Sequence, residues 1–202
     1  MALNSGLLSQ LILSQCASKG IVGTEMPNFS KAFAKGLIDS FKSMNQVITM
    51  DSGVMTTGTG KGKMSGLVPG ALVSLTAGMM MGKRIAGTKM HDLVDAVCNA
   101  TVQHFNTMNE VSTTHTTVAL GSGVGKVTNL VPSAMEAKIM QEMLGQGYTG
   151  TMMQPMISAF SKAFCSNVMS TAIVNVAISG SPSPLIAGSP IPSAGSGMGK
   201  VT

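Results

Sequence analysis

The sequence predicts an α+β fold made of three internal repeats. Each runs helix, Gly/Thr turn, helix, β-strand and GxGxGK segment, and the three close into a pseudo-threefold arrangement. Three observations carry this. First, "KGIVGTEM" (19–26) returns as "KRIAGTKM" (83–90) and "QGYTGTMM" (146–153), 64 and then 63 residues on. Second, the glycine-lysine stretches keep nearly the same period, with Lys63 and Lys126 at matching places and Lys200 delayed by an insertion, "SPSPLIAGSPIP" (181–192). Third, the ends complement each other: the chain stops at "GKVT", where the other copies continue into a helix, and it begins with that helix. Fixed-period self-similarity marks repeat architectures, and an open stack would need capping repeats with polar outer faces. The expected organisation is therefore one domain of three repeats, about 1–66, 67–129 and 130–202.

Each element follows in order. The first helix of each unit is expected over Ser5–Ala17, Pro69–Met81 and Pro132–Leu144. Pro69 and Pro132 suit the first helical turn, where no N–H is needed. A glycine-bearing turn follows, and Thr24, Thr88 and Thr151 are placed as N-caps. A longer second helix comes next. Met26, Phe29, Phe33, Leu37, Phe41 and Met44 share one face of it in the first unit. Met90, Leu93, Val97, Val102, Phe105 and Met108 do so in the second, and Met153, Met156, Phe160, Phe164 and Val168 in the third. Then come β-prone runs, "QVITMDSGVM", "EVSTTHTTVAL" and "TAIVNVAIS".

The glycine-lysine stretch that closes each unit resembles a phosphate loop but fails the pattern. GxxxxGK[ST] needs glycine six residues before the lysine and a hydroxyl after it. Leu120 and Val127 occupy those places around Lys126, Thr57 and Met64 around Lys63, and Ala194 and Val201 around Lys200. The alternate glycines instead suit a strand that bends or one that another backbone approaches closely.

Composition limits the function classes. Charged residues are 10% of the 202, against about 25% in a typical soluble domain. There are 19 Met, 24 Gly, one Tyr and no Trp. A surface this poor in charge points to a membrane protein or to a subunit buried against partners. The longest apolar run, Leu67–Met81, carries Pro69, Ser74 and Thr76 and falls short of the roughly 20 residues a spanning helix needs. The N-terminal run is broken by Ser9, Gln10, Ser14 and Gln15 and lacks a basic start, so it does not read as a secretory signal. The +5 net charge comes from scattered lysines and a single arginine, not from the clustered stripe of a nucleic-acid site. Cys16, Cys98 and Cys165, odd in number and without CxxC spacing, are expected as buried thiols in a reducing compartment.

No catalytic set, cofactor site or metal site emerges. His91 opens a helix and His104 stands off the apolar face, so it is expected to be exposed. His115 alternates with threonines as a surface residue, and Asp51, Asp39 and Glu25 have no partner at a telling spacing. In the second β-run Val111, Thr113, His115 and Thr117 share one face, and Ser112, Thr114, Thr116 and Val118 the other. Neither is cleanly apolar, so these strands are expected to meet other subunits. Thr114 and Thr116 are the candidate contacts there. Leu185 and Ile186 are the candidate anchors in the proline-rich insertion.

Little charge, Gly/Ser/Thr/Met richness, and the recurring "GSGVGKV" and "GT" signatures together resemble a minor virion structural protein of a tailed bacteriophage. The resemblance implies a non-enzymatic place in the capsid, neck, tail or baseplate. The protein would be made in the host cytoplasm, with other virion proteins or copies of itself as partners. A membrane-associated small protein, or a nucleotide-binding module acting through the GxGxGK segments, is the alternative.

Overall fold

A computed structural model describes residues 3–54, 57–85, 87–115, 120–180 and 193–202. The elements are α1 (Ser5–Ala17), α2 (Met26–Met44), β1 (Gln46–Val54), β2 (Thr57–Ser65), α3 (Pro69–Gly82), α4 (Thr88–Met108), β3 (Glu110–His115), β4 (Leu120–Thr128), α5 (Pro132–Gly145), α6 (Met153–Thr171), β5 (Val174–Gly180) and β6 (Ser193–Val201). The class is α+β. The strands form a closed barrel in chain order, every neighbouring pair antiparallel, with β6 returning to β1.

The glycine-lysine stretches are themselves the strands β2, β4 and β6. Their glycines face inward and their lysines outward. A methyl group at Gly62, Gly125 or Gly199 would overlap the carbonyl oxygen of Ile48, Ser112 or Asn175 respectively. Six strands enclose little volume, so side chains cannot point inward from every strand. The three glycine-rich strands yield the interior to β1, β3 and β5.

The barrel end that meets the helices is closed by apolar cross-strand pairs: Val47 with Met64, Val111 with Val127, and Val174 with Val201, all buried. Beyond them the helices pack in a ring, α1 on α2 and α6, α2 on α3, α3 on α4, α4 on α5, and α5 on α6. Phe41 of α2, Phe105 of α4 and Phe164 of α6 meet edge to face at its centre, with centroids 5.0, 6.0 and 6.3 Å apart. Such pairs add about 0.5–1.5 kcal/mol each beyond area burial.

Two asparagines that the sequence reading passed over join the layers. Asn109, just past α4, donates to the carbonyls of Met64 (3.1 Å) and Phe105, and its Oδ1 accepts from Met64 N (2.6 Å). Asn45, just past α2, does the same for Val201 and Phe41. Each satisfies helix-end and strand-end groups that burial would otherwise leave unpaired. The signal was present in the sequence: Met44-Asn45 and Met108-Asn109 recur at the repeat period.

The three threonine caps are corrected. The residues preceding the helices are Glu25, Gly87 and Met152, and none makes a side-chain cap hydrogen bond. Thr24 and Thr151 lie in the turn ahead of the helix, and Thr88 lies inside α4. Asn4 does cap α1, accepting from Leu7 N at 3.1 Å. The prolines hold the first turns of α3 and α5, as their fixed φ requires. The two termini adjoin: Leu3 N donates to Thr202 O at 2.9 Å, and Thr202 exchanges backbone hydrogen bonds with Ile173.

Candidate functional site: barrel interior and outer wall

Strand alternation divides the barrel into two surfaces. Inward from β1 point Val47, Thr49 and Asp51. From β3 come Val111, Thr113 and His115, and from β5 Val174, Val176 and Ile178, all buried. The interior grades from apolar beside the helices to ionisable toward the far end. There His115 Nε2 stands 3.3 Å from Asp51 Oδ1, both side chains fully buried. Thr49 Oγ1 donates to Asp51 Oδ2 at 2.9 Å. Thr113 Oγ1 is buried without a hydrogen-bond partner among the described residues. β1 and β3 are not neighbours in the barrel, since β2 lies between them. The pair meets because Gly58 and Gly60 carry no side chain: a Cβ at Gly58 would overlap the His115 ring, and one at Gly60 the Asp51 carboxylate.

This corrects three expectations. His115 is not a surface residue, Asp51 does have a partner, and the β3 faces do differ. Val111, Thr113 and His115 form the buried face, while Ser112 and Thr114 are exposed. Threonines inside a small barrel pass for an outer face when polarity alone is read.

His104 is also corrected, from exposed to buried. α4 is flanked by both α3 and α5, so more than one stripe of it is covered. Neither ring nitrogen of His104 has a hydrogen-bond partner among the described residues. Burial, and then Lys138, hold its pKa below the ordinary histidine value. In the pH range below the unfolded value of about 6.5, the unfolded chain therefore binds a proton that the folded chain refuses. Stability falls as pH drops through that range. His104→Leu is expected to raise stability by about 1–3 kcal/mol at neutral pH and to flatten this acid-side loss. Urea midpoints measured at stepped pH would show it. An unchanged slope would mean that His104 does not drive the loss.

The cysteines are buried. Burial pushes the Cys98 and Cys165 thiols up to about 12, which leaves them protonated and poor nucleophiles. The Cys98 thiol faces Thr76 on α3 at 4.0 Å. Among the described residues no group of three or more His, Cys, Asp and Glu could hold a metal. No described helix is long and apolar enough to cross a membrane. In the GxGxGK strands the backbone amides point along the sheet to neighbouring strands and do not converge on one point, as a phosphate cradle requires.

The outer wall is small, hydroxyl-rich and basic. Lys61, Lys63, Lys126 and Lys200 all point outward, and Glu110 approaches Lys61 at 3.7 Å. Thr114 is exposed on this wall, in a shallow trough between Lys61 on β2 and Lys126 on β4. The trough is floored by Ser112 and Thr114 and edged by Val124. Thr116, Leu185 and Ile186 lie outside the described residues. Around the barrel, on β1 and β6, Ile48, Met50 and Met198 are 53, 83 and 68% exposed. Ile48 pairs directly with Met198, Met50 is the diagonal neighbour, and Ala177 of β5 lies beside Met198. These four form one apolar patch, whose β2 flank carries Lys61 opposite Met50 and Lys63 opposite Ile48.

No protein-family model, curated protein or solved structure matches this chain.

Proposed function

We propose that the chain is a non-enzymatic assembly subunit of a phage particle, joined to copies of itself or to other virion proteins through the outer wall of its barrel. The observation that carries the assembly role is the contiguous exposed patch of Ile48, Met50 and Met198. Strand faces on a free monomer are normally polar, and contiguous exposed apolar area marks a contact surface. Thr114 and the trough beside it extend the same wall. The virion setting is supported by the sequence resemblance alone. Purified chain is expected to associate as its concentration rises in sedimentation velocity. Ile48→Lys should abolish that association while leaving the circular dichroism unchanged, since the side chain already faces solvent. A wild-type chain that stays monomeric at every concentration, and is absent from purified particles, would refute the role.

The same proposal includes a pseudo-threefold axis along the barrel. The order helix, helix, strand, strand recurs three times, Phe41, Phe105 and Phe164 meet at the centre, and the two asparagine bridges correspond. A ring of equivalent units has no privileged start. A circular permutant opening at Leu67 with Thr202 joined to Leu3 by a short linker is therefore expected to fold to the same helix and strand content. Failure of that permutant, alongside success of one cut within a unit, would count against equivalence of the units.

A further inference from the structure

We propose that the trough between Lys61 on β2 and Lys126 on β4 binds a phosphate dianion, free or as the ester of a small molecule. The site goes beyond the assembly reading and uses none of the residues of the apolar patch. Its basis is the strand register. Lys61 pairs with Ser112 of β3, and Ser112 pairs with Lys126, so the three exposed side chains stand in one row across three strands. At the spacing of paired strands the two lysine backbones are roughly 9–10 Å apart. Their long, flexible stems can close that gap from both sides, over the Ser112 hydroxyl. The next row, Thr59, Thr114 and Val124, is short. Small side chains on β3 between long ones on its neighbours make the wall concave here. The trough measures about 780 Å3, inside the roughly 300–1,000 Å3 range of small-molecule sites.

Two observations separate this row from ordinary solvated lysines. The first is that the corresponding strands lack it. On β1, Met50 pairs with Lys61 and Ser196, and Ile48 with Lys63 and Met198. On β5, Asn175 pairs with Val124 and Lys200. The repeats supply a lysine to each glycine-rich strand, but β3 sets a small hydroxyl between two of them. The second is charge. Like charges across a sheet repel and opposite charges attract, so an acid on β3 would be the internal solution. Glu110 stands only at the end of the row, 3.7 Å from Lys61, and Lys126 makes no ion pair among the described residues. A phosphate monoester supplies the missing charge, about −1.5 to −2 at pH 7, with three acceptor oxygens for two ammonium groups and a hydroxyl. Val124, 56% exposed, gives an organic ester an apolar shoulder. The amides of these strands are spent on the barrel ladder, so side chains alone make the grip.

The test titrates the isotope-labelled chain with inorganic phosphate and with phenyl phosphate, followed by nuclear magnetic resonance. Amide shifts are expected at Ser112, Thr114 and Lys126 and not in the helices. Lys126→Met should weaken binding about tenfold or more, through loss of a charge-assisted hydrogen bond. Lys200→Met, elsewhere on the wall, should stay within about twofold, because distant exposed charges are screened. Ser112→Glu should abolish binding by placing an acid in the row. Glu110→Gln frees Lys61 and should tighten binding by roughly two- to fivefold, the worth of an exposed ion pair. All four side chains lie on the outer wall, so circular dichroism should match the wild type. Tighter binding of phenyl phosphate assigns an ester ligand, and equal or weaker binding assigns the free anion; either upholds the site. The absence of a localised shift with both probes would overturn it. So would equal weakening by Lys126→Met and Lys200→Met, or binding retained by Ser112→Glu. These measurements leave the apolar patch untouched, so the assembly reading stands or falls separately.

Discussion

His115→Ala is expected to lower stability by about 3–5 kcal/mol, because it takes the imidazole away from a buried Asp51 carboxylate that then keeps only the Thr49 hydroxyl. That is a large share of a typical margin of roughly 5–15 kcal/mol. The cost comes from the stranded buried polar group more than from lost attraction, and a second variant shows the difference. Ile178 occupies the corresponding place on β5, and its Cδ1 and the His115 Cβ both border the space at Gly123. The barrel interior thus already accepts a branched apolar side chain at this level. Asp51→Val/His115→Leu is expected to recover most of the loss, as buried ion pairs replaced by apolar side chains of similar volume commonly do. With no tryptophan in the chain, urea unfolding followed by far-ultraviolet circular dichroism is the suitable readout. A double variant less stable than His115→Ala would sink this account, and would mean that the pair contributes net stability.

The second large effect concerns the glycines. Gly62, Gly125 and Gly199 each precede the lysine of a GxGxGK strand, and each admits a neighbouring carbonyl oxygen into the space a methyl group would take. The overlap is with backbone, so relief requires the strands to move apart and no side chain can relieve it by rotating. Overpacking of this kind costs about 1–3 kcal/mol a site, occasionally more. The three sites lie on different strand pairs, so the costs should add. The triple alanine variant is expected to lose the barrel. Alanine at Gly70, Gly78 and Gly82 of α3, where an added Cβ meets nothing, serves as the control and should fold. A folded triple variant with wild-type urea midpoint would show that close backbone approach is not why these glycines stand there.

The opening helices show how much local chemistry settles. Proline at a first helical turn placed α3 and α5, and correspondence with them placed α1, each to within a residue of its observed ends. The β-prone runs became β1, β3 and β5 on the same kind of evidence. The Thr24, Thr88 and Thr151 caps failed because the path of the incoming turn decides which residue stands at a helix start: Glu25 and Met152, with helical backbone angles, precede α2 and α6, and Gly87 precedes α4 at a φ of 149°.

The candidate site divides in the same way. Alternation set Thr114 on the face opposite Val111, Thr113 and His115, but only the barrel shows that this face is the outer one. The Asp51–His115 pair was not legible. The two residues are on strands that do not pair, and they meet only through the space left by glycines on a third strand. Ile48, Met50 and Met198 were not legible as a patch either, since β1 and β6 stand at opposite ends of the chain and become neighbours only when the barrel closes.

What the sequence by itself determined is the repeated order of elements and the helix boundaries, because these rest on spacings within a few residues and on a period visible in the letters. The tertiary structure alone decided that the glycine-lysine stretches are barrel strands, which strand face is interior, and that a histidine and an aspartate share that interior. The physical reason is closure. Once six strands form a ring, each inward position is judged by the volume left by strands far away in sequence. A threonine, a histidine or a glycine is then buried or exposed according to neighbours that no local pattern reports.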